Sequence, residues 1–558
     1  MFEPGTVVNC IMSLLSILLY CGAGTALGIT AHLALFIHGE WHVRAPEIFI
    51  FHCVLFTSTL TANTLSSGTE YYSFFEGILY MSYCYVSVLL TSIMVYRLWF
   101  HRLTRDEFPG PWYLRVSKLC HVWAVRRSKN YVVLDDLHRK YGDFVRTGPA
   151  EITVFHPEVF SAIDGPRSEC VKSEWYDLLH PFLSLVSARD KSIHAARRRE
   201  WVRCFTSKAL TQHENKILKH IDELDRRIEN DVLLHKPSEM RDLCFWFGFD
   251  AMGDFVFNKS FNMLFDQKWH CVVTRLQRAL SLLGPLSPAP WLVQLGLRLG
   301  PKVWVLRDWH ESVAWAKGEM RTRLDRGWAK QGGDPDLTHY LMEQENEISF
   351  KDSLYWMHGD SLLAIVAGSE PTAYVLLAIF CELAKHPCDA EKIHEELKGV
   401  DVTDLKILNR APHLNAVINE ALRLYPVLLT GGARKTAKGG VVVGGTYIPP
   451  NTTIVSPRFS IQRREDCFEQ AGSFIPERWT TRPGMIRNTA AFNPFSTGHH
   501  SCLGRQLAMD IMKFVMARLI KKYRFRLAPG ETGSRMFDEM VDQFTANPGN
   551  LSLRFEMR

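Results

Sequence analysis

The stretch Phe495-Ser-Thr-Gly-His-His-Ser-Cys502-Leu-Gly504-Arg505 decides the fold. It predicts an irregular loop that leads into a helix, because glycine at positions 498 and 504 allows a close backbone approach that a side chain would block. Residues 503–523 are apolar at helical spacing and end in basic residues, as a helix should. Cys502 then falls where the helix N–H groups are unpaired, a setting expected to favour its thiolate.

A thiolate that faces a flat cofactor can bind haem iron and donate the electron density that favours O–O cleavage. A buried structural cysteine is the alternative for Cys502 taken alone. Two upstream motifs favour the iron ligand, namely Glu420-Ala-Leu-Arg423 and Phe474-Ile-Pro476-Glu477-Arg478-Trp479. Together with the Cys502 loop they resemble the E-x-x-R, P-E-R-W and F-x-x-G-x-R-x-C-x-G motifs of the cytochrome P450 family.

The resemblance covers residues 108–558. In the loop it rests on Phe495, Gly498, Cys502 and Gly504, with His500 where the family usually has Arg. It implies a mainly α fold with small β-sheets, and haem b bound through Cys502 as the axial thiolate ligand of the iron.

A structural network is the second feature that the resemblance implies. Glu420 and Arg423 lie one turn apart on a predicted helix. In the family they form a buried network with Arg478 on the proximal side of the haem. The alternative is an ordinary surface ion pair, which would contribute only about 0–1 kcal/mol.

The resemblance also implies partners for the haem propionates. Counting back from Phe205, His194 and Arg198 occupy the positions of the family's propionate-binding Trp and Arg, and a guanidinium suits an anionic carboxylate. The arginines on either side of Arg198 are expected to face outward. Arg434 stands where the family often has a second propionate partner, and His500 could share that role with partial positive charge.

Residues 367–372, Ala-Gly-Ser-Glu370-Pro371-Thr372, lie within a helix predicted from a capping sequence at Ser349 to about residue 385. They resemble the family's oxygen-activating A-G-x-D-T-T segment, with Pro371 in place of a threonine. Proline removes that hydroxyl and frees the carbonyl of residue 367. We expect Glu370 and Thr372, with a water on this carbonyl, to carry the proton relay. The alternative is that Pro371 only kinks the helix and Thr372 packs.

Three further segments resemble parts of the family's substrate pocket. Residues 279–307 are mostly apolar and interrupted by Pro and Trp, at about the position of the substrate lid. Residues 427–432 are expected to enter the pocket, and residues 542–545 are expected to form a turn that reaches it.

The amino-terminal part predicts a membrane anchor. Residues 7–37, 48–68 and 78–96 contain no Asp, Glu, Lys or Arg, and each is about long enough to span a bilayer. Buried soluble helices are the alternative. Arg44 follows the first run and Arg97, Arg102 and Arg105 follow the third, which predicts a lumenal amino terminus and a cytosolic catalytic domain at the endoplasmic reticulum. We therefore divide the chain into an anchor, 1–107, and a catalytic domain, 108–558.

Composition limits the function further. The chain has 558 residues, of which 47% are hydrophobic, enough for a large core. Its formal net charge of +6 includes no concentrated basic block, so nucleic-acid binding is not expected. The 13 cysteines show no C-x-x-C pair, and we expect most of them to be reduced in a cytosol-facing protein.

The function that the resemblance implies is monooxygenation of a lipophilic small molecule, in fungal secondary metabolism. Electrons would come from NADPH through a separate NADPH–cytochrome P450 reductase, with cytochrome b5 as a further donor, because no flavin or dinucleotide fingerprint occurs in the chain. Two alternatives stay open. One is a haem-thiolate isomerase, dehydratase or peroxide-using enzyme, which Pro371 favours. The other is a non-enzymatic membrane haem-binding protein.

Overall fold

The computed structural model describes residues 4–69, 71–326, 335–342 and 350–558. The capping residue expected at Ser349 lies outside the described residues. The remainder of the chain is mainly helical with four small sheets, as predicted.

The helices are α1 (Pro4–Thr30), α2 (Ala45–Leu65), α3 (Tyr72–Val95), α4 (Arg102–Arg105), α5 (Trp112–Val116), α6 (Lys118–Ala124), α7 (Asn130–Tyr141), α8 (Val159–Asp164), α9 (Lys191–Cys204), α10 (Ser207–Leu233), α11 (Met240–Phe257), α12 (Met263–Asp266), α13 (Cys271–Leu280), α14 (Leu283–Leu286), α15 (Pro290–Leu299), α16 (Trp304–Arg326), α17 (Leu337–Met342), α18 (Phe350–Lys385), α19 (Pro387–Glu396), α20 (Leu405–Leu408), α21 (Pro412–Leu424), α22 (Arg458–Ile461), α23 (Arg505–Lys522) and α24 (Arg535–Asp538).

The strands are β1 (Phe144–Gly148), β2 (Glu151–Val154), β3 (Val171–Lys172), β4 (Ser238–Glu239), β5 (Arg434–Lys435), β6 (Val441–Val443), β7 (Thr446–Ile448), β8 (Thr453–Val455), β9 (Tyr523–Leu527), β10 (Val541–Gln543), β11 (Thr545–Asn547) and β12 (Ser552–Met557). One sheet has the order β1-β2-β8-β5-β3 and another has the order β4-β12-β9, while β6–β7 and β10–β11 form two antiparallel pairs.

The described residues form two compact units. The first comprises residues 1–121, 146–150 and 288–301, and the second comprises residues 122–145, 151–287 and 302–558. The first unit thus contains α1 to α5 and, from much later in the chain, α15.

Three helical stretches of the first unit are long and apolar enough to span a membrane, namely Leu14–Phe36, Ala45–Leu65 and Tyr72–Arg105. They match the three predicted runs and fit a membrane anchor. The first and third pack closely, because a Cβ at Gly24 or Gly28 would lie 2.3 Å from the Met81 carbonyl oxygen or 2.7 Å from that of Tyr85. Glycines four residues apart on one face are a common basis for helix packing in membranes.

Helix α18 is the central element of the second unit. By length and composition it could also span a membrane, but 78% of its most apolar window is buried inside the protein, so it is a core helix. It continues through Pro371 and ends at Lys385, two residues before Pro387, as predicted. Helix α11 packs closely against it, since a Cβ at Gly248 would lie 2.9 Å from the carbonyl oxygen of Ser369.

Candidate active site

The loop before α23 holds Cys502 close to the start of that helix. The Cys502 N–H donates to the carbonyl oxygen of Phe495 at 2.8 Å, which closes the loop. Gly498 has a φ of +62°, and a Cβ there would lie 2.2 Å from the Asp164 carbonyl oxygen, so the loop needs glycine at this position. Helix α23 begins directly after Gly504, close to the predicted start.

Opposing effects act on the pKa of the Cys502 thiol. Its side chain is accessible, yet desolvation by the surrounding protein raises its pKa above the ordinary value. The backbone N–H groups of Gly504 and Arg505 and the charge of Arg198 lower the pKa by less. The helix start thus favours the thiolate, as expected, but it does not outweigh desolvation in the protein alone. A metal ion would, because it deprotonates a coordinating thiol outright.

His194 and Arg198 lie one turn apart on α9 and both face the Cys502 loop. His194 is buried, and the centroid of its ring lies 4.7 Å from that of the His500 ring. Two nitrogens of the Arg198 guanidinium donate to the carbonyl oxygen and the hydroxyl of Ser501, at 2.8 and 2.9 Å. The structure thus brings His194, Arg198 and His500 together beside Cys502.

Arg197 points into the protein, contrary to the prediction that both neighbours of Arg198 face outward. Its side chain is 6% exposed, and its Nε donates at 2.6 Å to a carboxylate oxygen of Asp360 on α18, which is fully buried. Arg197 also pairs with Glu200 on its own helix. A buried carboxylate is costly without a cationic partner, which explains why Arg197 turns inward. Arg199 is exposed, as predicted.

Arg434 lies buried on β5, where it joins the sheet to the Cys502 loop. Its Nε donates to Asp164 at 2.7 Å, and a terminal nitrogen donates to the Tyr176 hydroxyl at 2.5 Å. The other Asp164 oxygen accepts from the Ser496 hydroxyl at 3.2 Å. Desolvation lowers the pKa of Arg434, but Tyr176 and Asp164 together raise it above its ordinary value. The guanidinium therefore stays charged.

Lys172 belongs to the same cluster, although no motif in the sequence marks it. Its side chain is buried on β3, and its Nζ donates to the carbonyl oxygens of Leu185 and Val186 at 3.0 and 2.7 Å. Desolvation, with repulsion from Arg434 and Arg198, lowers its pKa to about 6. A lone lysine on a short strand is a weak sequence signal, and only the fold shows which cations surround it.

These basic side chains fit a dianionic cofactor. Desolvation, with repulsion from neighbouring cations, lowers the pKa of His194 to about 3 and that of His500 to about 2. Among the described residues, the buried Nδ1 of His500 has no hydrogen-bond partner. Two carboxylates would offset this concentration of positive charge, and the sulfur of Cys502 would bind iron. The residues present therefore fit haem, whose two propionates and iron need these partners.

Glu420, on α21, lies at the centre of a hydrogen-bonded network of buried charged side chains. It accepts from Arg423 at 2.8 and 2.9 Å, from Nε of Arg478 at 3.0 Å and from the Trp479 indole at 2.9 Å. All three charged side chains are 0% exposed. Arg423 also donates to the carbonyl oxygens of residues 462, 471 and 473, so it joins α21 to the segment that carries Arg478. An ordinary surface pair does not have this geometry.

The middle of α18 presents an accessible stripe at Ala367 and Pro371, while its neighbours Glu370 and Thr372 are buried. The Thr372 hydroxyl donates to the Gly368 carbonyl oxygen at 3.1 Å. Glu370 accepts at 2.9 Å from the hydroxyl of Thr545, which lies on β11 far along the chain.

The Glu370 carboxyl is unusually basic. Desolvation raises its pKa to about 7, although Thr545 and the charge of Arg241 oppose this rise. A group with such a pKa is able to hold and to release a proton at neutral pH.

Residues 427–432 and the hairpin around residues 542–545, both expected to reach the substrate pocket, contact each other. Phe544, with a φ of +79°, is the turn residue between β10 and β11, so the predicted turn at residues 542–545 is present. The N–H of Ala546 donates to the Val427 carbonyl oxygen at 2.8 Å, which ties this hairpin to the start of the 427–432 segment. The glycines of that segment are needed for packing, since a Cβ at Gly432 would lie 2.1 Å from the Tyr176 hydroxyl oxygen.

Comparison with known proteins supports the resemblance to the cytochrome P450 family. The family model described as "Cytochrome P450" matches residues 109–555. The chain is 33% identical over 556 residues to cytochrome P450 monooxygenase FCK2 of Fusarium pseudograminearum, covering 95% of this chain and 96% of that protein. It is 32% identical over 536 residues to tryprostatin B 6-hydroxylase of Neosartorya fischeri, covering 94% and 96%. It is 35% identical over 474 residues to cytochrome P450 monooxygenase orf5 of Eupenicillium brefeldianum, covering 84% and 94%.

The alignments cover 84% or more of the chain, and all three relatives are named as monooxygenases or a hydroxylase. This favours monooxygenation over the isomerase or dehydratase and over the non-enzymatic haem-binding protein. The chain therefore belongs to the cytochrome P450 family, and it is a haem-thiolate monooxygenase of the kind that serves fungal secondary metabolism.

Proposed function

We propose that this monooxygenase binds haem b and oxidises a lipophilic small molecule, using dioxygen and electrons that originate from NADPH. The observation that supports it most directly is the Cys502 loop, whose sulfur lies beside a cluster of basic side chains that suits two propionates. When bound, the haem supplies the oxygen-activating chemistry, in which one atom of dioxygen enters the substrate and the other becomes water.

In this proposal the chain's own residues bind and orient the cofactor. Cys502 holds the iron. Lys172, His194, Arg198 and His500 hold the propionates, while Arg434 fixes Asp164 and thereby the loop. The network of Glu420 keeps the proximal segment rigid around them, because each of its charges is buried and paired.

The electrons would come from a redox partner, which P450 monooxygenases generally use. We propose NADPH–cytochrome P450 reductase, with cytochrome b5 as a further donor, at the surface of the endoplasmic reticulum. The three spans would form a multi-pass anchor in membrane lipid, with the amino terminus in the lumen and residues 108–558 in the cytosol. Arginines at positions 44, 97, 102 and 105 support this orientation.

The proton relay is proposed to run through Glu370 and Thr372. Pro371 supplies no hydroxyl and no N–H, so a nearby acid must hold the proton. Glu370, with a pKa of about 7, suits that role, and Thr545 holds its carboxyl in place. Thr372 is one residue from the accessible stripe and would pass the proton when its hydroxyl leaves the Gly368 carbonyl oxygen.

Thr372→Ala tests this relay. We expect the ratio of hydrogen peroxide released to product formed to rise about 100-fold, the smaller end of the range for losing a proton-transfer group. Thr372→Ser is the matched control and should behave as the native protein. An unchanged ratio in Thr372→Ala would favour the alternative that Thr372 only packs.

The function is tested by reconstitution of the full chain with reductase and NADPH. Tryprostatin B is a reasonable first probe because a relative is named for its hydroxylation, and other lipophilic alkaloids and terpenoids would follow. We expect NADPH-dependent product that carries one oxygen atom from labelled dioxygen. Product formed with peroxide but never with reductase and NADPH would contradict the proposal.

A further inference from the structure

Helix α15 belongs to the same compact unit as the membrane-spanning helices, although it is separated from them by most of the first half of the chain. It packs on α2, the second spanning helix. At this contact Arg298 donates to a carboxylate oxygen of Glu47 at 2.8 Å. Residues 279–307, where the substrate lid was expected, thus include a helix that is held by the anchor.

The charges of this pair suit the ends of the two helices. Glu47 is in the first turn of α2 and Arg298 is in the last turn of α15, so each also interacts favourably with the dipole of its own helix. The sequence of α15, Pro290-Trp-Leu-Val-Gln-Leu-Gly-Leu-Arg-Leu299, contains only one other polar side chain. Helix α15 is nearly apolar, and its one charged side chain, Arg298, pairs with Glu47. Such a helix suits the membrane surface, where a spanning helix leaves the bilayer.

The other helices of the anchor hold α2 in place. The His52 ring of α2 is hydrogen bonded to the Tyr85 hydroxyl of α3 at 3.2 Å, and the rings of Phe56 and Tyr83 meet edge to face at 4.7 Å. Helix α3 in turn packs on α1 at the two glycines described above. The helix that receives α15 is therefore part of a folded three-helix bundle.

The segment just before α15 leads toward Glu370. Three residues separate α15 from α14, and Gly284 of α14 is so close to β10 that a Cβ would lie 2.9 Å from the Asp542 carbonyl oxygen. The same hairpin carries Thr545, which donates to Glu370. A continuous stretch of chain and contacts thus runs from Glu370 to the beginning of α15.

We propose that the amino-terminal end of α2 is a docking surface for α15. The anchor thereby controls how readily residues 279–307, the expected substrate lid, move away from the site. This gives the second spanning helix a role beyond anchoring. The docking itself does not depend on the function proposed above, whereas its effect on ligand entry rests on that function.

Hydrogen exchange of the full-length holoenzyme in lipid nanodiscs tests the docking. The Glu47 and Arg298 side chains are 60% and 28% exposed, so a neutral substitution is too mild and charge reversal is preferable. We expect Glu47→Arg and Arg298→Glu each to accelerate amide exchange in residues 290–299 by about threefold or more. The double variant Glu47→Arg with Arg298→Glu should restore slow exchange.

Glu76→Arg is the matched control, since it makes the same charge change at α3, in a different part of the anchor. It should leave exchange in residues 290–299 unaltered. Unaltered exchange in both single reversals, or equal acceleration in the control, would overturn the docking proposal. Rescue by the double variant excludes general misfolding as the cause of the acceleration.

The effect on ligand entry is measured with an apolar phenylimidazole, whose nitrogen binds haem iron with a visible spectral change. We expect the charge-reversed variants to associate about threefold faster, because a released segment opens more often. Faster exchange without faster association would overturn the control of entry while leaving the docking intact. A native protein without a haem spectrum would contradict the proposed function instead, and the exchange experiment would still decide the docking.

Discussion

The Glu370 carboxyl is expected to make the stability of the protein depend on pH between about 4.5 and 7. Desolvation raises its carboxyl pKa from 4.5 to about 7, so between these values the folded protein binds more protons than the unfolded chain. Stability therefore falls as the pH rises through this range. Glu370→Gln removes the titration and keeps an acceptor for Thr545. At pH 8 we expect its free energy of unfolding to exceed that of the native protein by at most about 3 kcal/mol.

The measurement is the thermal unfolding midpoint of both proteins at pH 4.5 and pH 8. The midpoint of Glu370→Gln should exceed that of the native protein at pH 8 and should equal it at pH 4.5. Glu469→Gln, at a surface carboxylate paired with Arg487, is the control and should change neither midpoint. Equal midpoints of Glu370→Gln and native protein at pH 8 would contradict the assigned pKa.

Lys172 gives a second test at the scale of one residue. Its pKa of about 6 in the protein alone reflects burial among other cations, which an anionic propionate would relieve. We expect Lys172→Met to accelerate haem transfer to excess apomyoglobin by about tenfold, as for loss of a charge-assisted hydrogen bond. Lys172→Arg should retain haem better than Lys172→Met. Equal transfer rates for native protein and Lys172→Met would remove Lys172 from the haem site.

At the scale of elements, the Glu420 network joins α21 to the segment that carries Arg478. Glu420→Ala leaves two buried arginines without their carboxylate, which typically costs about 3–5 kcal/mol. We expect misfolding or loss of haem, seen as a low haem-to-protein ratio in purified membranes. Slower turnover with normal haem content would be the contrary result.

Glu391→Ala is the matched control for this variant. That carboxylate is 44% exposed and pairs with Arg524 and Arg558, so its removal should cost only about 0–1 kcal/mol. A comparable loss of haem in both variants would mean that burial of the Glu420 network has no special importance.

The sequence predicts elements well where local patterns determine them. The start of α23, the end of α18 before Pro387 and the pairing of Glu420 with Arg423 all depend on residues that are close in the chain. It fails where the partner is distant. Arg197 was expected to face outward, because nothing near it in sequence reveals the buried Asp360, 163 residues further on. Lys172 was missed for the same reason.

The pKa of the Cys502 thiol shows a second limit of prediction from the sequence. The helix start and its N–H groups are visible in the sequence, and they do lower the thiol pKa. The opposing desolvation depends on how much protein surrounds the sulfur, which only the folded structure reveals. The balance between two effects of opposite sign could not be read from the motif.

At the scale of the whole molecule, three spans were predicted from charge-free runs alone. Among the described residues before position 109, three helices are long and apolar enough to span a membrane. The attachment of α15 to these helices could not be predicted, because its apolar composition suits a lid, a core helix or a membrane surface equally. The ion pair between Arg298 and Glu47 joins residues 251 positions apart. The compact unit that contains these helices therefore includes a segment from the middle of the chain.

The most direct test of the account is the absorption spectrum of the reduced, carbon-monoxide-bound protein in membranes, for the native chain and for Cys502→Ala. Cys388→Ala, at an exposed cysteine outside the loop, is the control. We predict a thiolate-type, red-shifted Soret band that is lost in Cys502→Ala and kept in Cys388→Ala. A histidine-type band in the native protein, or no haem at all, would contradict the assignment of Cys502 as the iron ligand.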